Sequence, residues 1–410
     1  MLLINMFDNI IGLNSFLIVI LIFLFLAKRY PYLAKIIYVA LTIRILFVFF
    51  HYNVAPLPDS IGDAANFEIK AYKWSKDGFL NTIANYPGPS SYFISWIIAI
   101  LYSIFDRSEL MALSLSLLFG MGSIILACSI AAKLWSKEIA VRVGWVAALF
   151  PALILYSCLV LREVYVCFFL LVAINGCVDW IRNKNIKSLI LIIAGFVCAT
   201  YFHGAMFIGL IIFFLIIFFE NIKIFLLNLL KLKINIKNFF FTLSIIILAA
   251  VFISKDIKIP KIGSINKFSF KEKLLEKNRD YDLGTAKYPN WLVAKSGIEI
   301  IYKAPIRIIY FTFSPFLWDI KKISHTLGMF DGLMYIYLVY LIYLNRKKIL
   351  SDQVLKTIFL ILLSYLIVYG ISVGNFGTGL RHRSKFVILF ILLAAPYLPK
   401  FIFSKKSKDL

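Results

Sequence analysis

The sequence predicts an all-α fold, a polytopic bundle of transmembrane helices, and three observations predict it. Apolar runs such as Leu189 to Phe219 are too long for a buried strand or an ordinary core helix. They match the roughly 20 apolar residues that cross hydrocarbon as a helix. Of the 410 residues 61% are hydrophobic and only 16% charged, where a soluble domain carries about a quarter charged residues. The basic residues, finally, gather in short groups beside the apolar runs, where Lys and Arg set orientation. No period-two alternation is visible, and a backbone in lipid must satisfy its own polar groups. Helices are therefore expected, not a barrel.

The basic groups order the elements. Lys28-Arg29, the stretch Lys133 to Arg142, Arg182 to Lys187, Lys223 to Lys237, Arg346 to Lys348 and Lys405-Lys406 are read as cytoplasmic. The N-terminus then lies outside and the C-terminus inside, with about eleven spans in a single domain, 1–410. They fall near residues 11–27, 34–51, 111–132, 143–160, 164–181, 189–202, 204–219, 239–253, 328–344, 355–371 and 387–403. The first is read as a retained helix, because no basic leader or A-x-A-like cleavage site accompanies it.

Two larger outer loops remain. The first, 52–110, contains Asp59, Asp63, Glu68 and Asp77, and its apolar half from Tyr92 to Phe105 is short for a span. It is expected to lie in the interface. The second, 254–327, is Lys-rich up to Pro305 and ends in an aromatic stretch, Ile306 to Trp318, broken by Pro315. That stretch is expected to be re-entrant or interfacial.

A formal charge of +23 would suggest nucleic acid in a soluble chain, but here much of it flanks membrane spans, so no nucleic-acid partner is expected. The five cysteines, Cys128, Cys158, Cys167, Cys177 and Cys198, lie in apolar segments without metal-ligand spacing, and they read as small packing residues. Walker, GxSxG and HExxH motifs are absent, which leaves the corresponding ATPase and hydrolase templates without support.

Four outer-face groups could carry chemistry. Asp59 and Asp63 follow a span, in Pro58-Asp59-Ser60-Ile61-Gly62-Asp63. A carboxylate there could serve as a general base or bind a divalent cation such as magnesium or manganese. No full ligand set is visible, and metal use stays open. Arg162-Glu163 interrupts an apolar run, and ionisable residues at such depth are costly and often functional. His203 stands at a helix junction, where a structural role is the common one. The last outer loop runs Gly374-Asn375-Phe376-Gly377-Thr378-Gly379-Leu380-Arg381-His382-Arg383-Ser384-Lys385. Its glycines allow close backbone approach, and Arg forks with a Lys point charge suit phosphate. Acids and a cationic phosphate site facing one outer cavity fit cleavage of a sugar–phosphate bond.

From Asp59 to Glu163 the chain resembles the first part of the GT-C superfamily of polyprenyl-phosphate-dependent membrane glycosyltransferases. The shared pattern is an outer-loop Asp after a helix, a proline-led interfacial helix (Tyr86 to Phe105), two spans and then an outer carboxylate. The resemblance implies a GT-C-like fold, with Asp63 as the first match to the catalytic base and Asp59 the second. It implies a metal-binding or active-site role for Glu163 and a lipid-phosphate role for Arg381 or Arg383. Substrate or phosphate contacts are expected from Arg162, His203, Arg381, His382, Arg383 and Lys385. The donor would be an undecaprenyl-linked sugar and the acceptor a glycan or lipid, outside a bacterial cytoplasmic membrane. The chain departs from the pattern in keeping a single acidic residue in Gly62-Asp63-Ala64 and in lacking a large soluble C-terminal domain. It is also similar to O-antigen and capsule repeat-unit polymerases, which would lean on Arg162, His203, Arg381, His382 and Arg383. A transporter or flippase of lipid-linked glycans would instead need midplane charges and inverted repeats.

Overall fold

A computed structural model of the chain describes residues 2–230 and 285–400. Among them every regular element is helical, and one isolated bridge pairs Lys287 with Asn375. Seven helices are long and apolar enough to cross a membrane. They are α1 (Leu2–Arg29), α2 (Ala34–Asn53), α6 (Glu109–Leu134), α9 (Arg162–Asn183), α11 (Phe207–Leu230), α13 (Ile323–Leu344) and α15 (Gln353–Ser372). An eighth crossing appears if α7 (Lys137–Leu149) and α8 (Pro151–Ser157), bent by 61°, count as one. The helix α10 (Ile186–Phe202) is shorter, and the span expected near 239–253 lies outside the described residues.

The first outer loop folds into three short helices, α3 (Ala65–Ser75), α4 (Phe79–Ala84) and α5 (Phe93–Phe105). The expected interfacial helix is α5, which buries Ile94, Ile98, Ala99 and Tyr102. Arg107 locks it down, donating from Nε and Nη2 to the two carboxylate oxygens of Glu68 on α3, each at 2.8 Å. This fork geometry is the strongest form of side-chain ion pair. It pulls the Arg107 pKa up from its ordinary value, chiefly through those hydrogen bonds.

Three expected segments take other shapes. The span near 143–160 is broken, because Pro151 has no N–H to continue the helix. Arg44 on α2, fully buried, donates to the freed region at Ala148 O (2.9 Å) and to Ser157 Oγ (2.9 Å). The first part of the aromatic stretch, 306–313, is the end of a longer helix, α12 (Gly297–Phe313), which runs through Pro305, and 314–318 lie beyond it. It leans on α13 so closely that a Cβ at Gly332 would collide with the Phe313 carbonyl. Gly374 to Lys385, expected as an outer loop with three glycines, is instead mostly helix. Two short helices, α16 (Phe376–Ser384) and α17 (Val387–Ala394), meet at a break around Lys385 and Phe386.

The start of α16 is fixed twice. Asn375 Oδ1 accepts from the Gly377 and Thr378 amides, a standard helix cap. Residues 286–288 of the second outer segment also pair with it, through Phe376 N to Ala286 O and Tyr288 N to Gly374 O, both 2.9 Å. A buried ion pair anchors the other end. Arg383 donates from Nε and Nη2 to Asp331 Oδ2 (3.0 and 2.7 Å) and from Nη1 to the Thr312 and Ser314 carbonyls.

Breaking such a pair from one side strands a buried charge, which costs about 3–5 kcal/mol, whereas an apolar replacement of both partners is near neutral. Asp331→Ala should therefore sharply lower the thermal stability of the detergent-solubilised protein. The double variant Asp331→Leu with Arg383→Met should recover most of the loss.

Candidate functional site

The site is assembled from the first outer loop, α8, the start of α9, the α10–α11 junction, the end of α15 and α16. Asp59 precedes, and Asp63 lies within, a single π-type turn, Ser60–Ala64, that leads into α3. Between α8 and α9 the chain turns through Cys158 to Leu161, all at most 3% exposed. This turn is sunk in protein, so the first residues of α9, Arg162 (5% exposed) and Glu163 (1%), are almost completely covered. Glu163 lies in the first turn of a 22-residue helix, where the exposed amide dipoles favour a negative charge.

Arg381 joins the parts. Its Nη1 donates to Asp63 Oδ2 at 2.8 Å and its Nη2 to Glu163 Oε1 at 3.3 Å. The same Glu163 oxygen lies 3.6 Å from Lys385 Nζ, which is fully buried. Lys385 Nζ in turn sits 2.8 Å from His382 Nδ1. The His382 ring lies edge-on to His203, centroids 5.1 Å apart, and His203 Nδ1 is 2.8 Å from the Tyr369 hydroxyl. One chain of polar contacts thus runs from Asp63, whose side chain is 49% exposed, to His203, which is 6% exposed.

Helical spacing decides which of the late cations join. Arg381 and Lys385 are four residues apart and share a face. Arg383, two residues on, is turned by about 200° and points to Asp331. The expected phosphate contact from Arg383 does not meet the cluster, because its donors go to Asp331 and to carbonyls of α12 and Ser314. The glycine-rich backbone likewise spends its Gly377 and Thr378 amides on the Asn375 cap. The other expected residues come together.

Asp59 stands apart from the ion pairs. Its Oδ2 accepts from the Tyr156 hydroxyl of α8 at 3.0 Å. Burial of its carboxyl pushes its pKa above the ordinary aspartate value, opposed by the Tyr156 hydrogen bond and the Arg381 charge. Part of the residue's surface stays open to solvent all the same. Arg162 lies with its guanidinium 5.1 Å from the Phe67 ring centre and makes one long bond, 3.4 Å, to Phe202 O.

Three buried polar atoms of the cluster have no hydrogen-bond partner, namely Arg162 Nε, Glu163 Oε2 and Arg381 Nε. These atoms leave hydrogen-bonding capacity unused within the cluster. A small cavity, about 10 Å³, borders Glu163 and Tyr156 together with Ser123, Ser157 and Ser384. Among the described residues no group of three or more His, Cys, Asp or Glu side chains could hold a metal ion. The arrangement offers cations for an anion, with a carboxylate beside them that is not ion-paired.

Tyr156, Tyr369 and Asp331 were not legible in the sequence. The first two are among 22 tyrosines, and nothing in their spacing singles them out.

Removing the Arg381 guanidinium leaves Glu163 with one ion-pair partner, Lys385, in place of two. Arg381→Met should destabilise the protein by about 2–4 kcal/mol, and Glu163→Gln in the same chain should add to the loss, because it also takes the carboxylate from the buried Lys385. Thermal unfolding of the single and double variants in detergent checks this coupling.

Compared with models of protein families, with curated proteins and with solved structures, the chain has no match.

Proposed function

We propose that the chain is a membrane glycosyltransferase of the GT-C type, serving surface polysaccharide biosynthesis. It moves a sugar from an undecaprenyl-(pyro)phosphate-linked donor to a glycan or lipid acceptor, outside the bacterial cytoplasmic membrane. It crosses the membrane about eleven times in this reading, as the apolar runs suggest. The observation that carries the reading is the meeting of Asp59, Asp63 and Glu163 with Arg162, Arg381 and Lys385 at one buried-to-open site.

The chemistry follows from that composition. An outer carboxylate takes the proton of the acceptor hydroxyl as its oxygen bonds to the anomeric carbon of the sugar. The bond from that carbon to the phosphate oxygen breaks, and the electron pair leaves on the phosphate. Arg381, with Lys385 and Arg162 near it, stabilises the charge that develops there, the kind of preorganised electrostatic term that dominates many enzymes. The donor phosphate would take over Arg381 donors that Asp63 and Glu163 now occupy.

A repeat-unit polymerase is the second reading. It is favoured by the contact of His203 with His382 beside Arg162 and Arg381, the residue types such an enzyme would lean on.

The test is the profile of surface glycan and lipid-linked oligosaccharide in a host from which the gene is deleted. Loss of one sugar from the unit supports the transferase, and collapse of long chains to single repeats supports the polymerase. Arg381→Ala, expressed and inserted, should restore less than about a hundredth of the wild-type product. An unchanged profile on deletion would overturn the reading and point to transport or scaffolding.

A further inference from the structure

The two aspartates of the first outer loop are not equivalent. Asp63 Oδ2 accepts a charge-assisted bond from the Arg381 guanidinium at 2.8 Å, so this carboxylate is already engaged by a cation. Asp59 has a neutral partner, the Tyr156 hydroxyl at 3.0 Å. The ionisable groups facing Asp59 are Tyr156 of α8, Glu163 of α9, Arg381 of α16 and Asp63 of its own loop. Arg381 is the one cation among these, and its Nη1 and Nη2 bonds run to Asp63 and Glu163.

The backbone agrees. Asp59 sits at φ 65° and ψ 4°, in the left-handed region, where a residue with a short polar side chain is tolerated and most others are not. Non-glycine residues held in that region cluster at functional sites. Tyr156 is 4% exposed and projects from α8, the short helix created by the break at Pro151. An unbroken α7 would carry its axis straight on instead of turning by 61°.

We infer that Asp59, oriented by Tyr156, is the carboxylate that accepts the acceptor's proton, while Asp63 holds Arg381 until the anionic donor displaces it. This rests on the transferase reading above. Tyr156 is a positioning residue, since it acts through Asp59. In the step, the acceptor O–H proton passes to an Asp59 oxygen as the new C–O bond forms. The electron pair of the broken anomeric C–O bond leaves with the phosphate beside Arg381. Once the donor phosphate occupies Arg381, Asp63 is released and remains at the rim of the site. Donor loading and base readiness are thus kept on separate carboxylates.

The sign of the pH effect is fixed by the bond. The Tyr156 hydroxyl stabilises the charged form of Asp59, so its removal raises the Asp59 pKa. Transfer needs the charged form, so its acid limb must then move to higher pH. The experiment measures sugar transfer from the host's own lipid-linked pool in isolated membranes, from acid to mildly alkaline pH. Wild type is compared with Tyr156→Phe, Asp59→Asn and Asp63→Asn. Tyr156→Phe should shift the acid limb up by about half a pH unit, a roughly threefold loss on the acid side, with the alkaline plateau kept. Asp59→Asn should abolish transfer at every pH. Asp63→Asn should retain the acid limb and change the dependence on donor concentration.

Wild-type transfer with an even loss at all pH in Tyr156→Phe, or full loss in Asp63→Asn with activity kept in Asp59→Asn, overturns this assignment alone. Absence of transfer by wild type overturns the transferase reading and the assignment with it. If Tyr156→Phe inserts poorly, an infrared titration of the Asp59 carboxyl band in Tyr156→Leu and wild-type protein replaces it. An unshifted band in that titration overturns the pairing.

Discussion

The contact on which the site depends is the bridge from Arg381 to Asp63 and Glu163. It ties the first outer loop, the start of α9 and the short helix α16 to one guanidinium. Each of the three acquires its place from a different cause. The loop is set by the Arg107–Glu68 fork, α9 by the buried turn after the Pro151 break, and α16 by its Asn375 cap and its Asp331 anchor. A planar cation with several donors can satisfy two carboxylates at once, as a lysine ammonium would do with less directional control.

Buried charge is otherwise avoided in such a chain, and each buried arginine has a separate solution. Arg383 is neutralised by Asp331. Arg307 on α12 donates to the carbonyls of Leu292, Gly370, Ile371 and Val373, gathering the end of α15. Arg44 supports the α7–α8 break. These uses are structural: the carbonyls they serve are those that helix ends and breaks leave without intrahelical partners. The cluster around Arg381 differs, because it lies beside a carboxylate, Asp59, that is open to solvent.

Much of the architecture was legible because lipid imposes long apolar helices, and these are read directly from run length. The grouping of Asp59, Asp63, Arg162, Glu163, His203, Arg381, His382 and Lys385 was legible for a related reason. Each interrupts or borders an apolar run at the same end of the bundle, so alternation of helices brings them together. What failed was local. Three glycines suggested a loop for 374–385, yet an Asn cap and the bridge to 286–288 made a helix of it. Once it is a helix, Arg381 and Arg383 must face opposite ways, and no reading of them as one cationic loop survives. Tyr156 could not be found, because its role depends on a bend whose direction the sequence does not state.

The central claim is that the Arg381 centre grips the phosphate of a polyprenyl-linked sugar. The most direct measurement is native mass spectrometry of the purified protein in nanodiscs supplied with undecaprenyl phosphate and with phosphatidylglycerol. The account requires undecaprenyl phosphate to be retained by wild type and by Tyr156→Phe, in preference to phosphatidylglycerol, and lost from Arg381→Ala. Equal retention of both lipids, or retention unchanged in Arg381→Ala, would contradict it.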